Sequence, residues 1–346
     1  MMLPNEINPD IFEFIEECGE ENGEGYPVRL HFYGGEPLLY FDKIKEIVGK
    51  TSRMNTEYSM VSNGKAITQE MVDFFNEHEL RMITSWDGFG SLDTRHYDVN
   101  AENKDLLFQV NHFGYSFVVS AKNYPMDIIR AYRKADEEYR KFHDHPLGFG
   151  LDFIFDTGIA NTSLIDNLSE KRLENEGKAA VDLLASEIAA GKVKDIRDDY
   201  ALSWIADFIG DAREFYSDDG WKKDFVIEGV CENGKQVLNM DLSGKLYECH
   251  NVFEPIGDIY SNFWSVEREI IKRDNNRKIG HECTQCPAFL DCFGGCKLHD
   301  IHSEEKRRSC RAQIYFRIGM LKEAVRIGLL KDPGIERMEA FCESKR

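Results

Sequence analysis

Seven of the nine cysteines lie in the last third of the chain and form one spaced pattern. They are Cys231, Cys249, Cys283, Cys286, Cys292, Cys296 and Cys310. The spacing reads C-x12-G-x4-C, then C-x2-C-x5-C-x3-C, then x13-C, and the glycine is Gly244. Thiolates are soft, strongly donating ligands that suit zinc or iron–sulfur clusters at such short spacings. Seven are too many for one tetrahedral ion and one short of two complete four-cysteine sites. The pattern therefore predicts two metal centres, one of which has an open or non-cysteine position.

Disulfides and structural zinc are the other uses open to these cysteines. The start, MMLPNEINPD, lacks the basic and apolar segments of a signal peptide, and 346 residues can bury large cores without covalent cross-links. We therefore expect a reduced, cytoplasmic protein. Zinc is the stronger alternative, because Cys283 and Cys286 alone would suit a zinc ribbon. The odd number of cysteines and the tight C-x5-C-x3-C continuation favour iron–sulfur clusters. Cys18 and Cys342 are isolated in helix-like stretches, which is typical of ordinary buried thiols.

The composition limits the classes of partner. The chain carries 43 basic and 62 acidic residues, a net charge of −19, which argues against nucleic acid or an anionic membrane as partner. No run of 18 apolar residues occurs, so no segment is predicted to span a bilayer.

The first half of the chain alternates short apolar runs with amphipathic stretches. The periodicity predicts helices over 9–20, 41–53, 68–78 and 125–142, and strands over 28–33, 58–62, 81–86, 115–120 and 150–155. Such alternation is typical of βα units on a parallel sheet, where ligands bind at the carboxyl ends of the strands. Three of these ends carry the turn-forming sequences GGEP, SNG and SWDG.

The second half of the chain does not continue this alternation of strands and helices. Two long helices are predicted over 165–217, and a β-hairpin around Leu242-Ser243-Gly244 is expected to bring Cys249 back towards Cys231. The remaining cysteines are predicted to lie in a loop-rich segment. A last helix is predicted over 312–330. We therefore expect three parts, at 1–164, 165–223 and 224–346.

Together these residues resemble the radical S-adenosylmethionine (SAM) superfamily with a C-terminal SPASM domain, as in anaerobic sulfatase maturases and other peptide maturases. The resemblance covers nearly the whole chain. It implies an α/β fold, namely a partial (β/α)6 TIM-like barrel missing its first strand. A loop-rich SPASM iron–sulfur domain with a β-hairpin and a C-terminal helix would follow.

The same resemblance implies a SAM site at the strand ends. In HFYGGEPLL, Gly34, Gly35, Glu36 and Pro37 would receive the methionine amino group of SAM. The physical reason is that two glycines let the backbone approach a ligand and a carboxylate pairs with an ammonium. The SNG and SWDG motifs would lie near the SAM carboxylate and ribose. Their predicted SAM-binding residues are Ser62, Asn63, Ser85 and Asp87.

The cysteine array matches the SPASM pattern at every spacing. By that resemblance, the first auxiliary [4Fe-4S] cluster would be held by Cys231, Cys249 and Cys296, with one iron open. The second would be held by Cys283, Cys286, Cys292 and Cys310. Such clusters relay electrons or contact the substrate.

The chain departs from the family in lacking the C-x3-C-x2-C motif that holds the SAM-cleaving cluster. Cys18 cannot replace it, because Asn22 and Gly25 stand where the second and third cysteines would be. Either the reading frame is truncated or split, or the protein is a cluster-less relative that keeps the fold for binding. The retained GGEP, SNG and SWDG favour truncation. The printed chain is not expected to cleave SAM alone.

His250 marks a second departure. It stands where the sulfatase-maturing relatives have an aspartate base after the cysteine. A histidine there could accept a proton, ligate the open iron, or be an ordinary surface residue. The change makes formylglycine formation a weaker expectation than another peptide modification.

We therefore predict an enzyme that abstracts hydrogen from a peptide or protein, followed by oxidation or cross-linking. SAM, two auxiliary clusters and an electron donor such as flavodoxin or ferredoxin would take part. The alternatives are a non-catalytic protein that binds a peptide or partner, and a structural zinc protein.

Overall fold

A computed structural model describes most of the chain, namely residues 6–22, 25–154, 162–192, 195–216, 237–273, 283, 286–292, 295–296 and 303–344. The chain forms two compact units. The first comprises Met1–Ser85, Val99–Tyr115 and Glu232–Asp274, and the second comprises Trp86–Asp98, Ser116–Cys231 and Asn275–Arg346. These boundaries differ from those of the three segments expected from the sequence, and that division stays a prediction.

The main sheet has five strands in the order β1-β2-β3-β4-β5. They are β1 Val28–Phe32, β2 Thr56–Ser62, β3 Arg81–Ser85, β4 Phe113–Val119 and β5 Gly148–Phe153. The pairs β1–β2 and β2–β3 are parallel, as βα units require. The α/β class and the five predicted strands are confirmed, whereas closure of the sheet into a partial barrel stays a prediction.

Thirteen α-helices lie in the described residues. They are α1 Asp10–Asn22, α2 Phe41–Thr51, α3 Gln69–Glu77, α4 Ser91–Arg95, α5 Val99–Leu107, α6 Pro125–Tyr139, α7 Ser163–Asp166, α8 Glu170–Ala189, α9 Tyr200–Phe215, α10 Phe263–Arg273, α11 Phe289–Cys292, α12 Glu304–Arg326 and α13 Ile335–Ser344. The predicted helices of the first half and the two long helices over 165–217 are confirmed. In this described part, no helix combines the length and the hydropathy that crossing a membrane would require.

A small antiparallel sheet in the first unit confirms the predicted hairpin. Its strands are β6 Asn239–Met240, β7 Lys245–Tyr247 and β8 Gly257–Asp258. Gly244 closes the turn with φ +88°, a conformation that glycine adopts without the strain of a side chain. The Asp241 carboxylate accepts hydrogen bonds from Ser243, Lys245 and Tyr247, so it holds the turn and the strand that leads to Cys249.

The hairpin shares a core with the amino-terminal helix of the same unit. Ile7, Ile11 and Ile15 form a buried row, against which Leu242 and Ile259 pack. Side chains of β1 join this core from Val28 and Leu30, so the alternate residues of the strand lie on the opposite face of the sheet. The backbone amide of Asn8 also donates to the carbonyl of Leu242 at 2.8 Å. Residues far apart in the chain therefore form one unit.

In the second unit, α8 and α12 cross at two glycines. A Cβ atom on Gly177 would lie 2.1 Å from the carbonyl oxygen of Phe316, and one on Gly319 would lie 2.0 Å from that of Glu174. The two backbones are therefore in direct contact, which only glycine at both positions permits.

The prediction that the later cysteines lie in loops is wrong for two of them. Cys292 ends α11 and Cys310 lies within α12. The last helix begins earlier than predicted because the Ser303 side chain caps it by accepting a hydrogen bond from the Lys306 amide. The highly charged first turns of α12 carry no apolar period, so the pattern did not reveal them.

Candidate functional site

The glycine pair after β1 forms an open backbone cradle. Gly34 has φ +92° and Gly35 has φ +54°, and a Cβ atom on either would meet nothing within 4 Å. Because no neighbouring atom would clash with a side chain, it is the positive φ angle, not the lack of space, that requires glycine at these two positions. The bare backbone amide and carbonyl groups are left accessible to a ligand.

Glu36 joins the ends of β1 and β2. Its Oε1 accepts hydrogen bonds from the Leu38 amide at 3.1 Å and the Ser62 hydroxyl at 2.6 Å, and its Oε2 accepts one from the Asn63 amide at 2.9 Å. The structure thus brings together three predicted site residues from two loops. A carboxylate has about four acceptor positions, so these three bonds leave Oε2 able to accept from a cation.

The SNG loop is held from behind by close packing. At Gly64, with φ +70°, a Cβ atom would lie 2.8 Å from Val99 and 2.9 Å from Thr84. The Asn103 side chain donates to the Gly64 carbonyl at 2.8 Å, and the Gly64 amide donates to the Ser62 hydroxyl at 2.9 Å. The Ser62 hydroxyl is therefore oriented on both sides before any ligand binds.

The SWDG motif contributes residues to both units. Ser85 is the last residue of β3 in the first unit, whereas Asp87 belongs to the second, where it is only 5% exposed. The Asp87 carboxylate accepts two bonds from Arg95 at 2.9 and 3.2 Å and one from Thr94 at 2.7 Å. It also accepts a long one of 3.4 Å from the Val118 amide. These bonds favour a positioning role for Asp87.

A cavity of about 210 Å³ lies beside this ion pair in the second unit. It is lined by Asp87, Thr94, Arg95, Val118, Ser120, Ile154 and Leu164. The wall is partly charged and partly aliphatic, and Arg95 provides hydrogen-bond donors at its edge. The volume is below the usual size of about 300–1,000 Å³ for a whole ligand site, so it suits part of a larger ligand.

His250 lies in an aromatic cluster in the first unit. Its ring centroid is 4.1 Å from that of Tyr33, which in turn is 5.8 Å from that of His31. Nδ1 of His31 is hydrogen-bonded to the Ser59 hydroxyl at 2.8 Å. Burial lowers the pKa of both histidines, and the nearby charge of His250 lowers that of His31 further. Both rings therefore favour the neutral form.

His31 and Tyr33 were not predicted as site residues. A signal for them existed, because His31 lies in β1 on the face opposite the apolar Leu30, and Tyr33 follows two residues later, just past the end of the strand. The sequence did not indicate that His250 would meet that face.

Six cysteines of the array lie among the described residues. They are Cys249, Cys283, Cys286, Cys292, Cys296 and Cys310. Cys231 lies outside the described residues, so the predicted approach of Cys249 to Cys231 lies outside them as well. Among the residues that are described, no three His, Cys, Asp or Glu side chains are gathered as a metal site. The assignment of two clusters therefore stays a prediction.

Two turns of the cysteine segment are closed by backbone hydrogen bonds. The Cys286 amide donates to the Cys283 carbonyl at 3.0 Å, and the Gly295 amide donates to the Cys292 carbonyl at 2.6 Å. Gly295 has φ +66°, as a tight turn between cysteines requires. In the same unit, the buried Tyr216 hydroxyl has no hydrogen-bond partner. Cysteine side chains on such turns fit an iron–sulfur cluster in chemical type.

Comparison with known proteins confirms the predicted resemblance to radical SAM proteins. Over 90 residues the chain is 27% identical to the radical SAM cyclopropyl synthase TigE of Paramaledivibacter caminithermalis. That match spans 25% of this chain and only 19% of TigE. No family model matches the sequence.

The fold is shared with solved structures of anSMEcpe. Native anSMEcpe with bound AdoMet superposes with a TM-score of 0.57 at 18% identity, over 98% of this chain and 91% of that one. The complex of anSMEcpe with AdoMet and the Cp18Cys peptide gives a TM-score of 0.56 at 17% identity, over 93% of this chain and 91% of that one. At this identity the likeness establishes the fold alone.

Proposed function

We propose that this chain binds SAM at the Gly34–Gly35–Glu36 cradle and takes part in radical modification of a peptide or protein. The observation that carries the proposal is the Glu36 carboxylate, which joins two loops and keeps one acceptor position on Oε2. The open cradle beside it fits the amino-acid part of SAM. Bound SAM would supply a carbon radical only on receiving one electron from a cluster held by a C-x3-C-x2-C motif, so a polypeptide that bears this motif is part of the proposal.

The residues of this chain have distinct tasks in the proposal. Glu36 pairs with the ammonium group, while Ser62 and Asn63 keep its carboxylate in place. Ser85 and the loop anchored by Asp87 are proposed to serve the ribose side of the same ligand. The fold shared with the peptide complexes of anSMEcpe supports a peptide substrate.

We also propose the two auxiliary [4Fe-4S] clusters. Cys231, Cys249 and Cys296 would hold the first, and Cys283, Cys286, Cys292 and Cys310 the second. They would accept electrons from the substrate, and a flavodoxin or ferredoxin would serve as the electron donor of the reaction. After anaerobic reconstitution the protein should contain about eight irons, by the arithmetic of two four-iron clusters. One or two zinc ions with no iron would contradict the cluster proposal and support the structural zinc alternative.

His250 is the proposed catalytic residue near the first cluster, as a ligand of the open iron or as a proton acceptor. Its ring is oriented by contact with Tyr33. The test is His250→Ala, assayed by substrate modification together with the spectrum of the clusters. Unchanged turnover and an unchanged spectrum would remove His250 from the mechanism.

The alternative function is a non-catalytic protein that binds SAM and a peptide or partner. Incubation with SAM and a strong reductant distinguishes the two. The reconstituted chain alone should form no 5′-deoxyadenosine under either proposal. A polypeptide bearing the C-x3-C-x2-C motif is then added. If 5′-deoxyadenosine now forms, the enzyme is supported, and if none forms, the binding protein is supported.

A further inference from the structure

Asp152 presents a carboxylate on the face of β5 that the helices of the second unit do not cover. On the other face, the ring of Phe149 lies 4.7 Å from that of Tyr132 in α6, and the ring of Phe153 lies 5.9 Å from that of Phe316 in α12. Side chains alternate along a strand, so Asp152 points away from these helices. Asp152 is exposed, whereas the other residues of β5 are half-buried.

The pairing of β5 with β4 places Asp152 beside the cavity of about 210 Å³. The Ile154 amide donates to the Val119 carbonyl at 3.0 Å, a bond that joins the carboxyl ends of the two strands, so they run parallel. In a parallel pair this bond sets Ile154 opposite Ser120, and Asp152, two residues earlier, opposite Val118. The cavity is lined by Val118, Ser120 and Ile154. Asp152 therefore adjoins two apolar residues of the cavity wall.

The described residues supply no counter-charge to Asp152. Burial raises the pKa of its carboxyl, and within the described ranges no Lys or Arg is paired with it. Arg95, the cation in the cavity wall, already donates to the Asp87 carboxylate at 2.9 and 3.2 Å, so its charge is compensated. A carboxylate that protein atoms surround and solvent still reaches is stabilised when a cation binds to it.

A lysine side chain matches the chemistry of this place. Its ammonium group would pair with the Asp152 carboxylate, and its aliphatic stem would lie against Val118 and Ile154. The net charge of −19 favours the same kind of ligand, because a strongly acidic chain attracts basic peptides from solution. An acidic side chain would be repelled by both the local and the overall charge.

We propose that Asp152 is a specificity-determining residue that binds a lysine side chain of the peptide or protein substrate. This inference rests on the proposed function, because it names the substrate class of that reaction. The substrate is then a lysine-containing peptide or protein. Asp152 provides the charge that selects the lysine, and the apolar wall beside it accepts the stem of any side chain of similar length.

The test is a titration of the full chain with the acetylated and amidated tripeptide Gly-Lys-Gly, followed by ligand-observed nuclear magnetic resonance. The norleucine counterpart, which keeps the stem and lacks the ammonium group, is the matched peptide. The wild type should bind the lysine peptide saturably and the norleucine peptide about 10-fold or more weakly. Asp152→Asn should lose about the same factor for the lysine peptide. Asp144→Asn, which changes an exposed aspartate of the same unit, should bind like the wild type.

Three results would overturn the inference. They are no saturable binding of the lysine peptide by the wild type, equal binding of the two peptides, and equal binding of the lysine peptide by Asp152→Asn and the wild type. Thermal unfolding without peptide checks for a structural role. Asp152→Asn removes a charge that lies unfavourably among protein atoms, so it should unfold at the same temperature as the wild type or higher. A lower temperature would assign the carboxylate to the fold and overturn the inference as well.

Failure of this inference and failure of the proposed function are distinguishable, because SAM binding is measured separately on the same variants. Asp152→Asn should keep the wild-type Kd for SAM. A loss of SAM affinity in Asp152→Asn without a loss for the lysine peptide would assign the carboxylate to SAM and overturn this inference alone. A wild type that binds the lysine peptide through Asp152 but does not bind SAM would overturn the proposed function and leave the lysine site in place.

Discussion

The Ser62 hydroxyl donates a 2.6 Å hydrogen bond to the carboxylate of Glu36, and this bond links the ends of two neighbouring parallel strands. The Asn63 amide strengthens the link from the same loop at 2.9 Å. Hydrogen bonds to a charged acceptor are about twice as strong as neutral ones, so the carboxylate has a fixed orientation before a ligand arrives. Preorganisation of this kind lowers the entropy that binding must overcome.

The first prediction concerns the glycine cradle. Gly34→Ala and Gly35→Ala should each lower the free energy of unfolding by about 1–2 kcal/mol, because a side chain is strained at positive φ. Gly49→Ala in α2 is the control, since its Cβ also meets nothing within 4 Å. That change should raise stability by about 0.5–1 kcal/mol through helix propensity. Denaturant unfolding measures all three, and a neutral Gly34→Ala would show that the loop does not require glycine.

The second prediction concerns the crossing of α8 and α12. Gly319→Ala should destabilise the protein by about 3 kcal/mol or more, since overpacking a close contact typically costs about 1–3 kcal/mol and here the obstacle is backbone. Gly210→Ala in α9 meets nothing within 4 Å and serves as the control. Thermal unfolding of the two variants should differ by several degrees, and equal midpoints would contradict the crossing.

The third prediction concerns Thr84, whose hydroxyl is buried and has no partner. Thr84→Val should leave stability unchanged or raise it by about 1 kcal/mol, because an unsatisfied polar group is replaced by a methyl. Thr51→Val is the matched control, since the Thr51 hydroxyl is also buried but bonds to the Ile47 carbonyl and to Tyr58. That variant should lose about 1–2 kcal/mol. Equal losses in equilibrium unfolding would mean that Thr84 has a partner after all.

The fourth prediction is a dependence of stability on pH through His31. Burial, and then His250, lower the pKa of His31 in the folded chain, so the unfolded chain binds a proton more readily. Stability should therefore fall as the pH drops through the ordinary histidine value of about 6.5 towards the lowered one. His31→Gln should show a smaller loss than the wild type between about pH 7.5 and about pH 5. Parallel unfolding curves in the two proteins across this range would contradict the prediction.

Much of the sheet and of the strand-end loops could be predicted from the sequence. Apolar runs and turn residues are local signals, so GGEP and SNG could be placed at the ends of β1 and β2 before their contacts were known. The bond between Glu36 and Ser62 was not predicted, and it follows from the pairing of β1 with β2.

Contacts between distant segments could not be predicted in the same way. The meeting of Tyr33 with His250 depends on where the hairpin segment packs, and the backbone contact of Gly177 with α12 depends on a helix crossing. Neither contact produces a hydrophobic periodicity in the sequence. The start of α12 at Glu304 was missed because capping and charge, not apolar spacing, determine it.

Direct binding of SAM to the purified chain tests the central claim, and calorimetry can measure it for the wild type, Glu36→Gln and Glu57→Gln. Glu57 is the control because it is a strand carboxylate paired with Arg29 and Arg81 outside the cradle. Wild type and Glu57→Gln should bind SAM with the same Kd. Glu36→Gln should bind about 10- to 100-fold more weakly, as expected for loss of a charged hydrogen bond worth about 1.5–3 kcal/mol. Equal affinity of Glu36→Gln and wild type, or no saturable binding by the wild type, would contradict the account.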